Sequence, residues 1–168
     1  MKVRWSQIVY GLIVNLAVCF FLCLTSSLAA ATDFENGIIQ IDLKEINWIN
    51  LLINFLVGYA IDNLVGIIIP FVSIGKWFTG LFHIKNDTYT NNMPYRLLAI
   101  LSSTIIYWAI LSPSLMILNV YILNMMSIKE GLFSLLLNAP IMLLVGYITT
   151  LLNDIAGYKV AHKIDKDF

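Results

Sequence analysis

Four long apolar stretches constrain this chain more than any other feature of its sequence. They cover residues 8–31, 46–74, 97–123 and 131–152, and Asp62 is the only charged residue within them. A helix that crosses the hydrocarbon core of a bilayer needs about 20 mostly apolar residues, so each stretch is long enough. Backbone amides in lipid must be bonded internally, and the alternation of barrel strands is absent. The sequence therefore predicts an all-α membrane protein with four transmembrane helices.

The composition excludes an ordinary soluble domain. Hydrophobic residues make up 60% of the chain and charged residues 12%, against roughly 45–50% and about 25% in typical globular proteins. The formal net charge is zero, which gives no reason to expect nucleic acid as a partner. The partner that this composition predicts is the lipid bilayer.

Basic residues predict the orientation. With the N-terminus inside, only Lys44 and Lys129 lie outside, and the other eight of the ten basic residues lie in the cytoplasm. Those eight are Lys2, Arg4, Lys76, Lys85, Arg96, Lys159, Lys163 and Lys166. Because cytoplasmic segments carry an excess of Lys and Arg, we expect a cell-membrane protein with both termini in the cytoplasm.

An internal repeat relates the two halves of the chain. Residues 50–59 align with 138–147, and both segments begin with Asn and end with Leu-Val-Gly-Tyr. Two tandem hairpins of two helices have the same orientation, so a pseudo-twofold axis along the membrane normal would relate them. The predicted organisation is one membrane domain, 1–168, made of a first hairpin (1–75), a cytoplasmic loop (76–96), a second hairpin (97–158) and a cytoplasmic tail (159–168).

A cleaved signal peptide is the alternative interpretation of the first stretch. Lys2 and Arg4 precede an apolar segment that reaches Ala29-Ala30-Ala31, and cleavage there would leave three helices. The stretch is longer than a typical signal core of about 7–15 residues. Cleavage would also remove one helix of the first repeat, so we expect the first helix to be retained.

The second hairpin resembles a family of small bacterial membrane proteins of unknown function. The resemblance rests on residues 137–145, Leu-Asn-Ala-Pro-Ile-Met-Leu-Leu-Val, and more weakly on 50–59. Proteins of this family carry one or two copies of a two-helix transmembrane hairpin. The resemblance implies a fold and a membrane location and supplies no activity.

Polar and small residues recur at every fourth position in the second and fourth stretches. The rows are Asn50, Asn54, Gly58, Asp62 and Gly66, and Asn138, Met142, Gly146, Thr150 and Asp154. Such a row forms a stripe on one helix face, and small residues there allow close helix packing. We expect Gly58, Gly66 and Gly146 to be packing residues, and the second and fourth helices to touch along Gly58 and Gly146.

Asp62 is the candidate functional residue. A carboxylate at membrane depth costs about 2.5–3.5 kcal/mol on insertion scales, so it should face the bundle interior or water. A candidate intramembrane polar site contains Asp62, Asn54, Asn63, Asn138 and Thr150. The alternative for Asp62 is a structural or interfacial role near the cytoplasmic end of its helix.

The sequence predicts no catalytic residues, cofactor or metal ligands. It lacks a Gly-rich phosphate loop, an HExxH pattern and a nucleophile elbow. Cys19 and Cys23 are expected to be small apolar packing residues. The leading interpretation is a non-enzymatic membrane protein of unassigned role. Alternatives are a small transporter or channel coupled to protons or cations through Asp62, and an accessory subunit of a membrane complex. A homodimer or larger assembly remains open, as does any small-molecule ligand.

Overall fold

Helices dominate the structure, a computed structural model that describes residues 5–35, 38–41, 43–44, 46–84 and 92–166. The elements are α1 (Trp5–Ala30), β1 (Thr32–Glu35), β2 (Ile38–Ile41), α2 (Trp48–Ile68), α3 (Phe71–Leu81), α4 (Met93–Ile117) and α5 (Ile128–Ile164). A π-helical turn, Leu118–Ile122, extends α4. Four of the helices, α1, α2, α4 with its π-turn, and α5, are long and apolar enough to cross a membrane. The chain thus has the helices of a multi-pass membrane protein.

Polar residues near the starts of the apolar stretches cap the helices. The Asn47 side chain accepts the amide of Asn50 at the start of α2, and Asn92 accepts the amide of Tyr95 at the start of α4. Ser127 and Glu130 form a reciprocal capping box at the start of α5. Each cap satisfies an amide that the first helical turn leaves unpaired. The short loop before α5 therefore ends at a defined position.

The second predicted span is interrupted, which corrects the expectation of one helix over residues 46–74. The helix ends at Ile68, and α3 begins at Phe71. Pro70 has no N–H to donate to the carbonyl of Gly66, and it disfavours helical backbone at the residue before it. The Phe71 amide donates to the carbonyl of Ile69 instead, at 2.9 Å. The chain therefore breaks its helix inside the apolar stretch.

Two predicted segments contain more helix than expected. The predicted loop 76–96 holds the second half of α3 and the first turn of α4, while its residues 85–91 lie outside the described part of the chain. The predicted tail 159–168 is helical up to Ile164 because α5 continues without a break. Ala161, within that extension, is fully buried. The connection after α1 contains the antiparallel hairpin of β1 and β2, with Thr32 opposite Ile41.

The four long helices form a closed ring. Helix α1 packs against α2 and α5, and α4 packs against α2, α5 and α3. Helices α2 and α5 share no extensive contact and lie diagonally across the ring. Neighbouring helices are antiparallel: Ser6 donates to Asp165, whereas Leu22 lies beside Gly146. We call the end at which α1 begins and α5 ends the terminal end, and the opposite end the loop end.

The outer surface of the ring is apolar. Exposed leucines occur along α2 and α5, including Leu52, Leu56, Leu136, Leu144 and Leu152. A water-soluble protein rarely leaves so many large apolar side chains exposed in one continuous surface. In a bilayer the same side chains contact lipid, and the polar residues face inward.

Candidate intramembrane polar site

Asp62 lies in the interior of the ring, at the junction of α1 and α2. Its side chain is 1% exposed. The Cys19 thiol of α1 donates to Asp62 Oδ2 across 2.8 Å. The other carboxylate oxygen, Oδ1, has no hydrogen-bond partner among the described residues. One oxygen of this buried carboxyl group is therefore without a hydrogen-bond partner among the described residues.

Amide and hydroxyl groups lie next to Asp62 on its terminal-end side. Asn15 of α1 donates to Asn63 Oδ1 across 3.4 Å. The Tyr107 hydroxyl of α4 lies 3.0 Å from the position that a Cβ would take on Gly66. The Asn15 Nδ2 lies 4.0 Å from the same position. Three helices thus contribute to one polar cluster, which consists of Asn15, Cys19, Asp62, Asn63 and Tyr107.

An aromatic pair covers this cluster towards the terminal end. Phe71, the first residue of α3, stacks on the Tyr107 ring with centroids 4.5 Å apart and planes 11° apart. Further along, Gly75 of α3 brings the helix close to Ala99 of α4, with 3.2 Å between the Ala99 Cβ and a Cβ built on Gly75. The break at Pro70 therefore does more than end α2: it turns α3 so that it packs along α4.

Apolar packing separates the polar cluster from the loop end. Gly58, one helical turn from Asp62, faces Leu111 and Leu115 of α4. A Cβ built on Gly58 would lie 3.5 Å from a Leu111 methyl group and 3.6 Å from a Leu115 methyl group. One further turn along α2, the side chains of Asn54 and Asn119 form two hydrogen bonds. Asn54 Nδ2 donates to Asn119 Oδ1 at 3.2 Å, and Asn119 Nδ2 donates to Asn54 Oδ1 at 2.8 Å. Two leucines and a closed amide pair therefore lie between Asp62 and the loop end.

A second buried carboxylate, Asp154 of α5, has a different environment. Arg96 of α4 donates to its Oδ2 across 2.6 Å, and the Tyr10 hydroxyl of α1 donates to its Oδ1. The Asp154 side chain is 2% exposed and that of Arg96 is 12% exposed. Both oxygens of Asp154 are therefore bonded, one of them to a cation, and the pair joins α1, α4 and α5 near the terminal end.

The predicted site residues are only partly brought together. Asn63 belongs to the polar cluster, but Asn54 bonds Asn119 instead of Asp62. Asn138 donates to Ser134 of its own helix, and Thr150 donates to the carbonyl of Gly146. Hydrogen bonds within a helix satisfy such side chains without any partner helix. The structure adds Asn15, Cys19 and Tyr107 to the site, although the sequence had indicated only a packing role for Cys19 and none for the other two.

The expected contact between Gly58 and Gly146 is wrong. Gly58 faces α4, whereas Gly146 faces Thr104 of α4 and Leu22 of α1. Each glycine does allow a close approach, but to a neighbouring helix in the ring. The reason is the order of the helices: α2 and α5 are diagonal, so their small-residue faces meet α1 and α4.

The donor set does not resemble a metal centre. Among the described residues, no group of three or more His, Cys, Asp or Glu side chains is placed to hold a metal ion. Comparison of the chain with protein family models, curated proteins and solved structures gave no match. The functional interpretation therefore rests on the geometry of the polar cluster, and the resemblance to bacterial hairpin proteins stays a prediction.

Proposed function

We propose that this protein is a small membrane transporter that carries an ion, with Asp62 as the ion-binding residue. The observation that carries the proposal is that Oδ1 of this carboxyl group, which is 1% exposed, has no hydrogen-bond partner among the described residues. Ionisable residues inside membrane helices are costly, and they mark ion pathways or proton relays when they face the interior of a bundle.

The contrast with Asp154 supports this role for Asp62. A carboxylate that only joins helices is expected to have its charge and both oxygens satisfied, because an unpaired buried polar group destabilises the fold. Asp154 fits that expectation through Arg96 and Tyr10. Asp62 does not, since the hydrogen bond that its carboxylate accepts comes from a thiol, which is a weak donor.

The position of Asp62 between two barriers also supports transport. The stack of Phe71 on Tyr107 lies on the terminal-end side, and Leu111 and Leu115 pack against Gly58 on the other. A transporter exposes its site to one side at a time, by moving parts of the bundle around that site. The structure of the cluster is that expected of an occluded state, in which neither side has access.

Reconstitution into lipid vesicles tests the proposal. Gradients of H⁺, Na⁺ or K⁺ are imposed, and dyes that respond to each ion report the flux. We expect one of these ions to move faster than in protein-free vesicles. Asp62→Asn keeps the size of the side chain and removes its charge, so the flux should fall to the protein-free level.

A matched control separates the role of Asp62 from the effect of removing any carboxylate. Glu130→Gln removes the charge of an exposed residue at the start of α5, and its flux should equal that of the unaltered protein. Absence of flux for all three ions, or a flux that Asp62→Asn leaves unchanged, would contradict the proposed function.

The proposed transporter has both termini in the cytoplasm of the cell that carries it. The bias of basic residues supports this orientation. Reporter fusions at Lys44, Asn86 and Phe168 measure it, because the activity of each reporter depends on its side of the membrane. We expect cytoplasmic readouts at Asn86 and Phe168 and an external readout at Lys44. An external readout at Asn86 would contradict this orientation.

The order of the helices in the ring is compatible with a tandem duplication of a two-helix hairpin. A twofold axis would exchange α1 with α4 and α2 with α5, which requires each pair to be diagonal, as observed for α2 and α5. The two tyrosines that the repeat aligns each donate to a backbone carbonyl of a leading helix, although not at matching positions: Tyr59 to that of Leu12 in α1, and Tyr147 to that of Leu97 in α4. These contacts support a bundle built from two related hairpins, of which only the first carries the ion-binding carboxyl group.

A further inference from the structure

We infer that the ion held at Asp62 is a proton, bound on Oδ1, and that it is exchanged with the terminal end through the Tyr107 hydroxyl. The inference rests on the proposed function, because it names the ion that the same site takes. It comes from the small number of oxygen atoms that the polar cluster offers to an ion, and from the Tyr107 hydroxyl, which is the only hydroxyl group of the cluster.

The surroundings of Asp62 offer too few oxygen atoms for a metal cation. Ca²⁺ takes roughly six to eight oxygen ligands and Mg²⁺ about six, and K⁺ filters use rings of carbonyl oxygens. Among the described residues, Oδ1 is the one buried side-chain oxygen without a partner, and the oxygen of Asn63 already accepts from Asn15. Cys19 presents its S–H to Oδ2. A proton needs a single lone pair, and Oδ1 supplies it.

The titratable groups around Asp62 are few. Helix α1 presents Cys19, whose thiol donates to Asp62, and Cys23, one turn further along the same helix. Helix α4 presents Tyr107, while its Arg96 is bonded to Asp154. Helix α5 makes no extensive contact with α2. A thiol hydrogen bond stabilises a carboxylate less than a cation would, so binding of a proton removes a charge that the described surroundings leave uncompensated.

Tyr107 is placed to exchange that proton. Its hydroxyl lies 3.0 Å from the position of a Cβ on Gly66, one turn beyond Asp62 towards the terminal end, and Asn15 Nδ2 lies 4.0 Å from the same position. Its ring is covered by Phe71 on the terminal-end side. When the Phe71 stack opens, an entering hydronium ion donates a proton to the hydroxyl oxygen and is left as water, while the hydroxyl's own proton passes through an intervening water to Asp62 Oδ1, which no described side chain bonds directly. Tyr107 is neutral before and after, Asp62 gains one O–H bond, and one proton has moved.

The experiment combines flux with infrared spectroscopy on the reconstituted full chain. Proton flux is followed with a pH-sensitive dye at fixed Na⁺ and K⁺ concentrations, and each metal cation is then varied at fixed pH. The carbonyl stretching band of protonated carboxyl groups is recorded for the unaltered protein, Asp62→Asn and Tyr107→Phe. Tyr107→Phe removes the hydroxyl and keeps the ring that stacks on Phe71.

We expect a proton flux that depends on Asp62 and is independent of Na⁺ and K⁺, with a protonated-carboxyl band that Asp62→Asn removes. Tyr107→Phe should keep that band and slow the flux, because Asp62 still binds the proton but exchanges it poorly. A purely structural role for Tyr107 would instead shift the unfolding midpoint and the band together.

Other outcomes separate the two proposals. An Asp62-dependent flux of Na⁺ or K⁺ would overturn the proton assignment and leave the transporter standing. A Tyr107→Phe protein with unaltered proton flux would overturn the exchange route. Absence of every ion flux would contradict the proposed function itself.

Discussion

Arg96→Ala should destabilise the bundle by about 3–5 kcal/mol, because it leaves a buried carboxylate without its cation. Arg96 donates to Asp154 Oδ2 at 2.6 Å, where the Asp154 side chain is 2% exposed. The same guanidinium approaches the carbonyl of Leu151 at 3.4 Å. Tyr10 also bonds Asp154, so the substitution weakens a contact shared by α1, α4 and α5. Unfolding by denaturing detergent, followed by loss of helical circular dichroism, measures the change.

Two further variants distinguish the ion pair from a general effect of losing a basic residue. Lys163→Ala removes an exposed positive charge from α5 and should shift the unfolding midpoint little, since surface charges contribute about 0–1 kcal/mol. Arg96→Ala combined with Asp154→Ala should cost less than the sum of the single changes, because no unpaired charge remains. Equal effects of Arg96→Ala and Lys163→Ala would show that the buried pair contributes little.

Hydropathy predicted the membrane helices because bilayer thickness constrains length and composition directly. It did not predict the break at Pro70, since Ile67, Ile68 and Ile69 before it and Phe71 after it keep the stretch apolar. Proline was the available signal, because it removes an amide donor irrespective of hydropathy. The extension of α5 to Ile164 was missed for the opposite reason: polar residues lowered the hydropathy while the helix continued.

The candidate site shows what a stripe on one helix can and cannot predict. Gly58 and Asp62 of the row are buried in the ring, whereas Gly66 is exposed. The partners of the row lie on α1 and α4. A stripe specifies the buried face of its own helix, and the ring order decides which helix meets it. Cys19 was interpreted as apolar because its role depends on Asp62 of another helix.

No local sequence pattern predicted the buried ion pair between Arg96 and Asp154. Arg96 and Asp154 are 58 residues apart in the chain, and each lies near the terminal end of its own helix. The charge count placed Arg96 on the cytoplasmic side, and the stripe on α5 included Asp154, but neither pattern joins the two. Their pairing follows from the contact of α4 with α5 in the ring.

Gly157→Leu should separate α1 from α5 and be the most destabilising of three matched glycine-to-leucine replacements. A Cβ on Gly157 would lie 2.9 Å from Val14 Cγ2 and 3.0 Å from Tyr10 Cδ2. Overpacking of this kind typically costs about 1–3 kcal/mol. The displaced ring is that of Tyr10, whose hydroxyl bonds Asp154, so steric and polar losses add. In lipid, close backbone approach and van der Waals contact provide much of the association between helices.

Two other glycines give a graded control for Gly157→Leu, measured by the same detergent unfolding. A Cβ on Gly131 would lie 2.9 Å from Met116 Cγ, but a methionine side chain can change rotamer, so Gly131→Leu should cost less. Among the described residues, no atom outside the local helix backbone and the two chain neighbours lies within 4 Å of a Cβ on Gly80 of α3. Gly80→Leu should therefore be neutral or slightly stabilising, because leucine favours helix over glycine. The expected order of destabilisation is Gly157, Gly131, Gly80. If Gly80→Leu destabilises as much as Gly157→Leu, the close contact of α5 with α1 does not hold the ring together, and the large interface between these two helices must depend on other residues.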